Sequence, residues 1–310
     1  MLEEFQSVFI QMAVLFIIVG VGYGAKKLNV IDADLDRKLS TLVLSTSLPA
    51  LVLASVLAAE TLPTQTEIVQ TLLLAFGGFA LLIAAALIVT FLLRVPVNHR
   101  GAYRFMLTFA NSGFLGYPVI TAIYGSDVLI YACIYNLPFN FLVFSVGVFF
   151  IASDNEKGVK VKMSWRDFVS PTIVASIVTI VLALLGVHDV PVLGESLETL
   201  GSMTTPMTLL IVGSSLANLP VRELLGGPRL IAMGLCRLLL MPALTWAVMH
   251  FFASGTILSM LVILAGMPVA TNGTMLCHRY GGDIKSMSQG TFVTTVLSLF
   301  TIPIITAVLM

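Results

Sequence analysis

The chain has 310 residues, of which 58% are hydrophobic and 10% are charged, and its 16 Lys and Arg residues balance 16 Asp and Glu residues. This composition excludes an ordinary water-soluble domain and indicates an integral membrane protein. We expect no nucleic-acid partner, no cofactor and no bound metal. The three cysteines, Cys133, Cys236 and Cys277, lie in apolar segments, where we expect small buried side chains rather than disulfides or metal ligands.

Ten apolar segments follow one another along the chain, and each has about the 20 residues that a bilayer core requires. The predicted spans, each to within a few residues, cover 7–25, 38–58, 68–93, 102–124, 128–152, 168–187, 196–218, 228–251, 256–278 and 285–309. The first span follows Glu3 and Glu4 rather than basic residues, so we expect a retained helix and not a signal peptide.

The Lys and Arg residues lie in or near alternate loops. The clusters are Lys26, Lys27, Arg37 and Lys38; Arg94, Arg100 and Arg104; Lys157, Lys160, Lys162 and Arg166; Arg222, Arg229 and Arg237; and Arg279 and Lys285. The intervening turns near Glu60, Asp127, His188 and Ser254 carry none. Because positively charged loops stay cytoplasmic, this alternation predicts ten crossings with both termini extracytoplasmic.

Two short motifs recur at nearly one offset. Tyr124–Asp127 (YGSD) closes the fourth span and Tyr280–Asp283 (YGGD) closes the ninth, 156 positions later. Ser45–Pro49 in the second span is echoed by Ser202–Pro206 in the seventh, 157 positions later. A repeat of five crossings must enter the membrane from opposite sides, so we predict an inverted 5+5 repeat with halves at 1–155 and 160–310. Inverted repeats are typical of secondary transporters, which bind substrate near the midplane between the repeats.

The fourth and ninth spans each carry Asn, Gly and Pro in mid-crossing, within Asn111–Pro118 and Pro268–Gly273. Proline removes a backbone donor, and glycine lets the chain leave helical geometry. In hydrocarbon the freed backbone groups persist only where they face protein or a polar cavity. A single proline or glycine in a span is more often a kink or a packing contact, but the pairing of the two breaks across the repeat favours a site.

We therefore predict a substrate site at two broken helices, where half-helix N-termini offer donors to an anion and C-termini offer acceptors to a cation. The candidate substrate-binding residues are Asn111, Ser112, Gly113, Gly116, Pro118, Pro268, Val269, Thr271, Asn272 and Gly273, with Asn136 and Asn140 of the fifth span added. For Asn136 and Asn140, cavity lining and interhelical hydrogen bonding both stay open. Five further polar residues are expected to join helices, namely Ser214 and Ser215 in the seventh span and Gln289, Thr294 and Thr295 in the tenth.

Arg237 is the strongly charged residue that lies well inside a span, about ten residues past Pro228 and roughly 14 Å deep. Either it snorkels back to the inner face, or it faces the cavity as a counter-ion. Asp127, Glu198 and Asp283 lie near span ends, so a proton relay or sodium site built on a midplane carboxylate has no obvious residue. These features favour an anionic substrate.

With its ten spans, its inverted repeat and the breaks Asn111–Pro118 and Pro268–Asn272, the chain resembles the auxin efflux carrier family of bacterial and plant transporters. Leu48-Pro49 and Asn136-Leu137-Pro138 are also similar to this family. The resemblance covers essentially the whole chain. It implies a fold shared with the bile-acid/sodium symporters, with a scaffold from spans 1, 2, 6 and 7 and a transport domain from spans 3–5 and 8–10 in which spans 4 and 9 cross.

The resemblance further implies elevator-type transport of a small organic anion, by a homodimer in the bacterial inner (cytoplasmic) membrane. The chain departs from relatives in lacking the long cytoplasmic loop of many plant members and the midplane acid of sodium-binding relatives. A sodium-coupled symporter of the bile-acid type remains an alternative, and a channel is a further one. The sequence has neither a His-Glu-x-x-His zinc motif nor a Gly-x-Ser-x-Gly turn, so we do not expect an enzyme.

Overall fold

The computed structural model describes residues 2–59, 62–154, 170–217 and 226–309. Within these ranges the chain forms helices and turns and no β-strand. The predicted loop residues Glu60, Lys157, Lys160, Lys162, Arg166 and Arg222 lie outside the described residues, as does the predicted boundary between the two repeats.

Sixteen α-helices are found in the described ranges. They are α1 (Leu2–Lys27), α2 (Ala33–Leu42), α3 (Leu48–Leu57), α4 (Gln65–Leu92), α5 (Arg100–Thr108), α6 (Tyr117–Tyr124), α7 (Leu129–Leu142), α8 (Val148–Ala152), α9 (Pro171–Leu184), α10 (Pro191–Ser202), α11 (Thr204–Ala217), α12 (Pro228–Leu235), α13 (Met241–Met249), α14 (Gly255–Ala265), α15 (Asn272–Tyr280) and α16 (Ile284–Leu309).

Five-residue π-helical turns lie at Val43–Ser47, Ser112–Gly116, Val143–Gly147 and Cys236–Leu240. Three of them end two residues before a proline, namely Pro49, Pro118 and Pro242. A proline lacks the N–H that an α-turn needs, and its ring clashes with the carbonyl four residues back. The widened turn accommodates both effects within an otherwise continuous helical segment.

Among the described residues, six helical segments are long and apolar enough to cross a membrane: Ala33–Leu57, Gln65–Leu92, Leu129–Ala152, Pro191–Ala217, Pro228–Met249 and Ile284–Leu309. Two shorter apolar helices are Pro171–Leu184 and Gly255–Ala265. An all-helical integral membrane protein is therefore confirmed. The count of ten spans and the inverted repeat stay predictions, and the predicted fourth and ninth spans are each interrupted in the described chain.

The chain divides into two compact units. The first comprises Met1–Leu73, Gly113–Leu137 and Phe168–Leu219, and the second comprises Leu74–Ser112, Pro138–Asp167 and Pro220–Met310. The division into scaffold and transport domain that the family resemblance implies stays a prediction.

In the first unit, α1 packs closely against α11. Gly22 faces the backbone of Leu210, and Gly213 faces the backbone of Val19, so a Cβ on either glycine would overlap the opposing chain. Small residues permit this close approach. Transmembrane helices commonly associate in this way, because lipid tails are as apolar as the side chains and the hydrophobic effect does not favour helix contact. An apolar core in the same unit contains Val56, Leu57, Ile68, Ile130, Ile134 and Ala183.

In the second unit, four phenylalanine rings form a buried cluster. Phe105 and Phe109 of the fourth span lie with ring centroids 5.0 Å apart. Phe79 contacts Phe109 at 6.3 Å, and Phe139 contacts both rings at 6.2 and 6.0 Å. Because Phe109 follows the last residue of α5, the cluster packs around the C-terminal end of that helix.

The other end of α5 is fixed by a carboxylate. Asp154 is buried and accepts hydrogen bonds from the backbone N–H groups of Gly101 at 2.6 Å and Ala102 at 2.7 Å. These groups belong to the first turn of α5, whose N–H groups have no intrahelical partner. Burial raises the pKa of Asp154, and the two backbone donors offset part of that rise.

A second carboxylate begins α16. Asp283 accepts from the Ser286 N–H at 3.0 Å, and its other oxygen lies 2.5 Å from Nδ1 of His99. Burial favours the neutral acid, but the hydrogen bonds from Ser286 and His99 outweigh burial and hold the pKa of Asp283 below its usual value. The loop before α5 and the start of α16 are thereby tied together.

Candidate functional site: a crossing of interrupted helices

Two interrupted helices of the second unit meet through their backbones. Helix α5 ends at Thr108, and Phe109 adopts extended angles of φ −102° and ψ 114°. Ala110 then pairs with Val269 as an antiparallel bridge. The Asn111 N–H donates to the Pro268 carbonyl at 2.7 Å, and the Ala270 N–H donates to the Phe109 carbonyl at 3.0 Å. The two breaks therefore satisfy each other's polar groups, as burial away from water requires.

A hydroxyl from the last helix completes this pairing. The Val269 N–H donates to Oγ1 of Thr294 at 3.1 Å, and the same hydroxyl donates to the Gly290 carbonyl of its own helix at 2.7 Å. The expectation that Thr294 joins helices is thus confirmed, because its partner lies outside α16.

Arg237 supplies the crossing with a positive charge. It lies in the π-turn Cys236–Leu240 and its side chain is fully buried. Its Nη1 donates to the Leu107 carbonyl at 2.8 Å, and its Nε donates to the Met267 carbonyl at 3.2 Å. The snorkelling alternative is therefore wrong, since the guanidinium is directed at the backbone of the two breaks and not at an aqueous surface.

Several polar atoms at the crossing are buried and have no hydrogen-bond partner among the described residues. They include Oγ1 of Thr108, Nδ2 of Asn111 and Oδ1 of Asn272. Asn111 is only 4% exposed. Buried amide groups are nearly always hydrogen-bonded, so such atoms at membrane depth indicate a place where a ligand or water binds. Among these atoms, Nδ2 of Asn111 is a donor and Oδ1 of Asn272 is an acceptor.

Gly273 brings the start of α15 against α5. A Cβ at this position would lie 2.7 Å from both Cε1 of Phe105 and Sδ of Met287. Only glycine fits here without displacing one of these side chains. The absence of a side chain at Gly273 therefore lets the start of α15, including Asn272, lie close to α5.

The remaining predicted site residues are divided between the units. Of the second unit, Ser112 is buried, Val269 pairs with Ala110, and the Pro268 carbonyl accepts from the Asn111 N–H. Thr271 and Asn140 of the same unit are partly buried. The others, Gly113, Gly116, Pro118 and Asn136, belong to the first unit.

Within the first unit, Asn136 is buried and its Nδ2 donates to the Ala132 carbonyl one turn earlier, at 3.1 Å. This hydrogen bond is made to its own helix. Gly116 and Pro118 flank the start of α6, and a Cβ on Gly113 would meet nothing within 4 Å.

A cavity of about 180 Å³ also lies in the first unit. Its lining includes Ser55, Thr121, Ser126, Glu198 and Ser202, and none of the predicted site residues. Glu198 would repel an anion, so the crossing and not this cavity is the better candidate for an anion site.

Sequence reasoning missed two features of the crossing. Thr108 was not singled out, although it lies three residues before Asn111. The backbone partners of Arg237 are separated from it by 130 and 30 positions, and no local pattern indicates such partners.

An all-helical membrane protein whose interrupted helices meet in a buried polar crossing has the architecture that solute transporters use at membrane depth. The family model described as membrane transport protein matches residues 7–306. The chain therefore belongs to this family, the auxin efflux carrier family that its sequence resembles. The family is one of membrane transport proteins.

Two archaeal proteins are similar to the chain. An uncharacterized transporter of Methanothermobacter thermautotrophicus is 28% identical over 200 residues, which cover 64% of this chain and 65% of the relative, just under two thirds of its length. An uncharacterized transporter of Methanocaldococcus jannaschii is 25% identical over 299 residues, which cover 93% of this chain and 94% of the relative. The family and these descriptions indicate a transporter rather than an enzyme.

Proposed function

We propose that the chain transports a small organic anion that carries a carboxylate, and that the anion binds at the crossing of residues 108–111 with residues 268–273. The observation that carries this proposal is the buried Nδ2 of Asn111, a donor that has no partner among the described residues. Carboxylate oxygens accept hydrogen bonds from such donors, and the bonds are stronger than those to neutral acceptors.

The charges of the second unit also support an anion. Among the described residues, Asp154 is the acidic residue that is buried, and it caps the N-terminal end of α5, away from the crossing. Helix α5 has nine residues, so it is about 13 Å long at 1.5 Å per residue. No described acid therefore lies at the crossing to repel a bound carboxylate.

The proposed mechanism follows from the family resemblance. A transport domain from spans 3–5 and 8–10 carries the substrate past a scaffold from spans 1, 2, 6 and 7, in an elevator-type cycle of a homodimer. The proposed location is the bacterial inner membrane, with both termini extracytoplasmic. An inverted 5+5 repeat would provide the two alternating states.

Uptake by proteoliposomes tests the proposal. Purified protein is first screened for thermal stabilisation by small carboxylates, because a ligand present at 100 times its Kd stabilises the folded state by about 2.7 kcal/mol. Uptake of the best labelled carboxylate is then compared for the wild type, Asn111→Ala and Asn272→Ala. Loss of a hydrogen bond to a charged group is worth about 1.5–3 kcal/mol, so we expect Asn111→Ala, which removes the donor Nδ2, to lose about 10- to 150-fold in apparent affinity. Asn272→Ala removes an acceptor, and we expect it to lower uptake by altering the crossing rather than by removing a bond to the carboxylate.

Asn98→Ala is the matched control, since Asn98 is an exposed asparagine in the loop before α5. We expect this variant to transport like the wild type. If both crossing variants also transport like the wild type, the substrate does not bind at the crossing. If the wild type transports no carboxylate, the proposed substrate class is wrong.

Sodium-coupled symport is the second candidate, and the buried Oδ1 of Asn272 is the observation that favours it. Neutral oxygens can hold a cation without a carboxylate. Replacing sodium by choline in the uptake assay separates the two functions. Uptake that needs sodium supports the symporter, and uptake that persists in choline supports transport without sodium.

A further inference from the structure

Arg237 contacts the two interrupted helices at corresponding places. Leu107, whose carbonyl accepts from Nη1, is in the last turn of α5. Met267, whose carbonyl accepts from Nε, follows the end of α14 by two residues. Both carbonyls belong to helix C-termini, where the last carbonyls have no intrahelical partner. One guanidinium therefore caps two half-helices that approach the same crossing.

The charge of Arg237 is balanced by the ends that it caps. A helix C-terminus carries about −0.5 of an elementary charge, so two such ends together supply about −1 against the +1 of the guanidinium. A buried arginine without compensation would be very costly. Its rigid fork of donors can reach two acceptors at once, which the single ammonium group of a lysine does less well.

From these contacts we propose that Arg237 is a positioning residue of the transport site and not the counter-ion of the substrate. Its two hydrogen bonds hold the ends of α5 and α14 together, so that Ala110 pairs with Val269 and the amides of Asn111 and Asn272 are placed for binding. The negative charge of the substrate is then met by neutral donors. This inference rests on the proposed transport of a carboxylate through the crossing.

The two roles predict different effects of substitution. Arg237→Lys keeps the charge but loses the fork, whereas Arg237→Gln loses both. If Arg237 positions the crossing, both variants lose uptake to a similar extent, at least tenfold and within threefold of each other. If Arg237 is the counter-ion, Arg237→Lys retains most of the uptake and Arg237→Gln does not.

The selectivity for a carboxylate over its amide is a second measurement, and a general loss of structure would not change it. Binding of the carboxylate is compared with binding of its primary amide, which has the same shape and no charge. Positioning predicts that the preference for the carboxylate in each variant stays within threefold of the wild-type preference. A counter-ion role predicts that Arg237→Gln lowers this preference by 30-fold or more, and that result would overturn the inference.

Arg229→Gln is the matched control. Arg229 is exposed at the start of α12, in the same predicted span, and its Nε donates to a single carbonyl, that of Leu93, at 2.9 Å. We expect this variant to keep wild-type uptake and selectivity. A loss equal to that of Arg237→Gln would contradict a special role for the crossing.

The wild type supplies a second test should the Arg237 variants not fold. The neutral donor proposed for the carboxylate is Nδ2 of Asn111, and one hydrogen bond to a charged group is worth up to about 3 kcal/mol, which is about 150-fold. A wild-type preference for the carboxylate over the amide below this value supports positioning, and a larger preference contradicts it. If the wild type binds neither compound, the proposed function itself fails, and this inference fails with it.

Discussion

Replacement of Gly273 by alanine should disrupt the crossing without altering any polar group. The new Cβ would lie 2.7 Å from both Cε1 of Phe105 and Sδ of Met287. The methionine can adjust, but the phenylalanine ring cannot. Phe105 is fully buried, its ring is 5.0 Å from that of Phe109, and the ring also packs tightly on Gly147.

The expected loss of stability follows from this steric overlap. Overpacking a buried site costs about 1–3 kcal/mol, while alanine gains roughly 0.5–1 kcal/mol over glycine in a helix. With the middle of each range, the net loss for Gly273→Ala is about 1 kcal/mol of folding free energy. Because Asn272 adjoins the clash, we also expect lower uptake at equal protein content.

Gly113→Ala is the control at the other break, since a Cβ there meets nothing within 4 Å. Thermal unfolding of both variants in detergent, followed by uptake in proteoliposomes, measures the difference. We expect Gly113→Ala to be as stable as the wild type. Equal stability of Gly273→Ala and the wild type would refute the packing argument.

Thr294→Val should remove the acceptor of the buried Val269 N–H and cost about 1–3 kcal/mol of stability, whereas Oγ1 of the neighbouring Thr295 donates to the Thr291 carbonyl of its own helix. Thermal unfolding should therefore separate Thr294→Val from a milder Thr295→Val. The pKa of Asp283 is lowered in the folded protein, because hydrogen bonds from Ser286 and His99 outweigh burial. Its contribution to stability is then present above the ordinary pKa of about 3.9 and is lost as pH falls through the lower folded value. The melting temperature of the wild type should fall more steeply below pH 4 than that of Asp283→Asn, and parallel curves would contradict this assignment.

The positions of the helix breaks could be predicted from the sequence, and their pairing could not. Asn, Gly and Pro in mid-span are local signals, and α5 and α14 end where those residues begin. The bridge between Ala110 and Val269 joins positions 159 apart, and its register depends on packing. Thr294 was expected to join helices because a hydroxyl at membrane depth needs a partner.

The depth of Arg237 in its predicted span is not enough to predict what its side chain does. Its distance from Pro228 indicates burial, but snorkelling and a counter-ion role are both compatible with that depth. The acceptors that decide the matter are backbone carbonyls of Leu107 and Met267. Every residue has such a carbonyl, so sequence does not mark the two that bind the guanidinium.

The central claim is that a small carboxylate binds at the crossing, and photolabelling tests it most directly. An aliphatic carboxylate that carries a diazirine is photolysed on the wild type, and the labelled peptides are identified by mass spectrometry. We predict adducts within residues 105–113 and 266–274, suppressed by excess of the unlabelled carboxylate and absent from Asn111→Ala. Labels confined to other segments, with the same competition, would contradict the account.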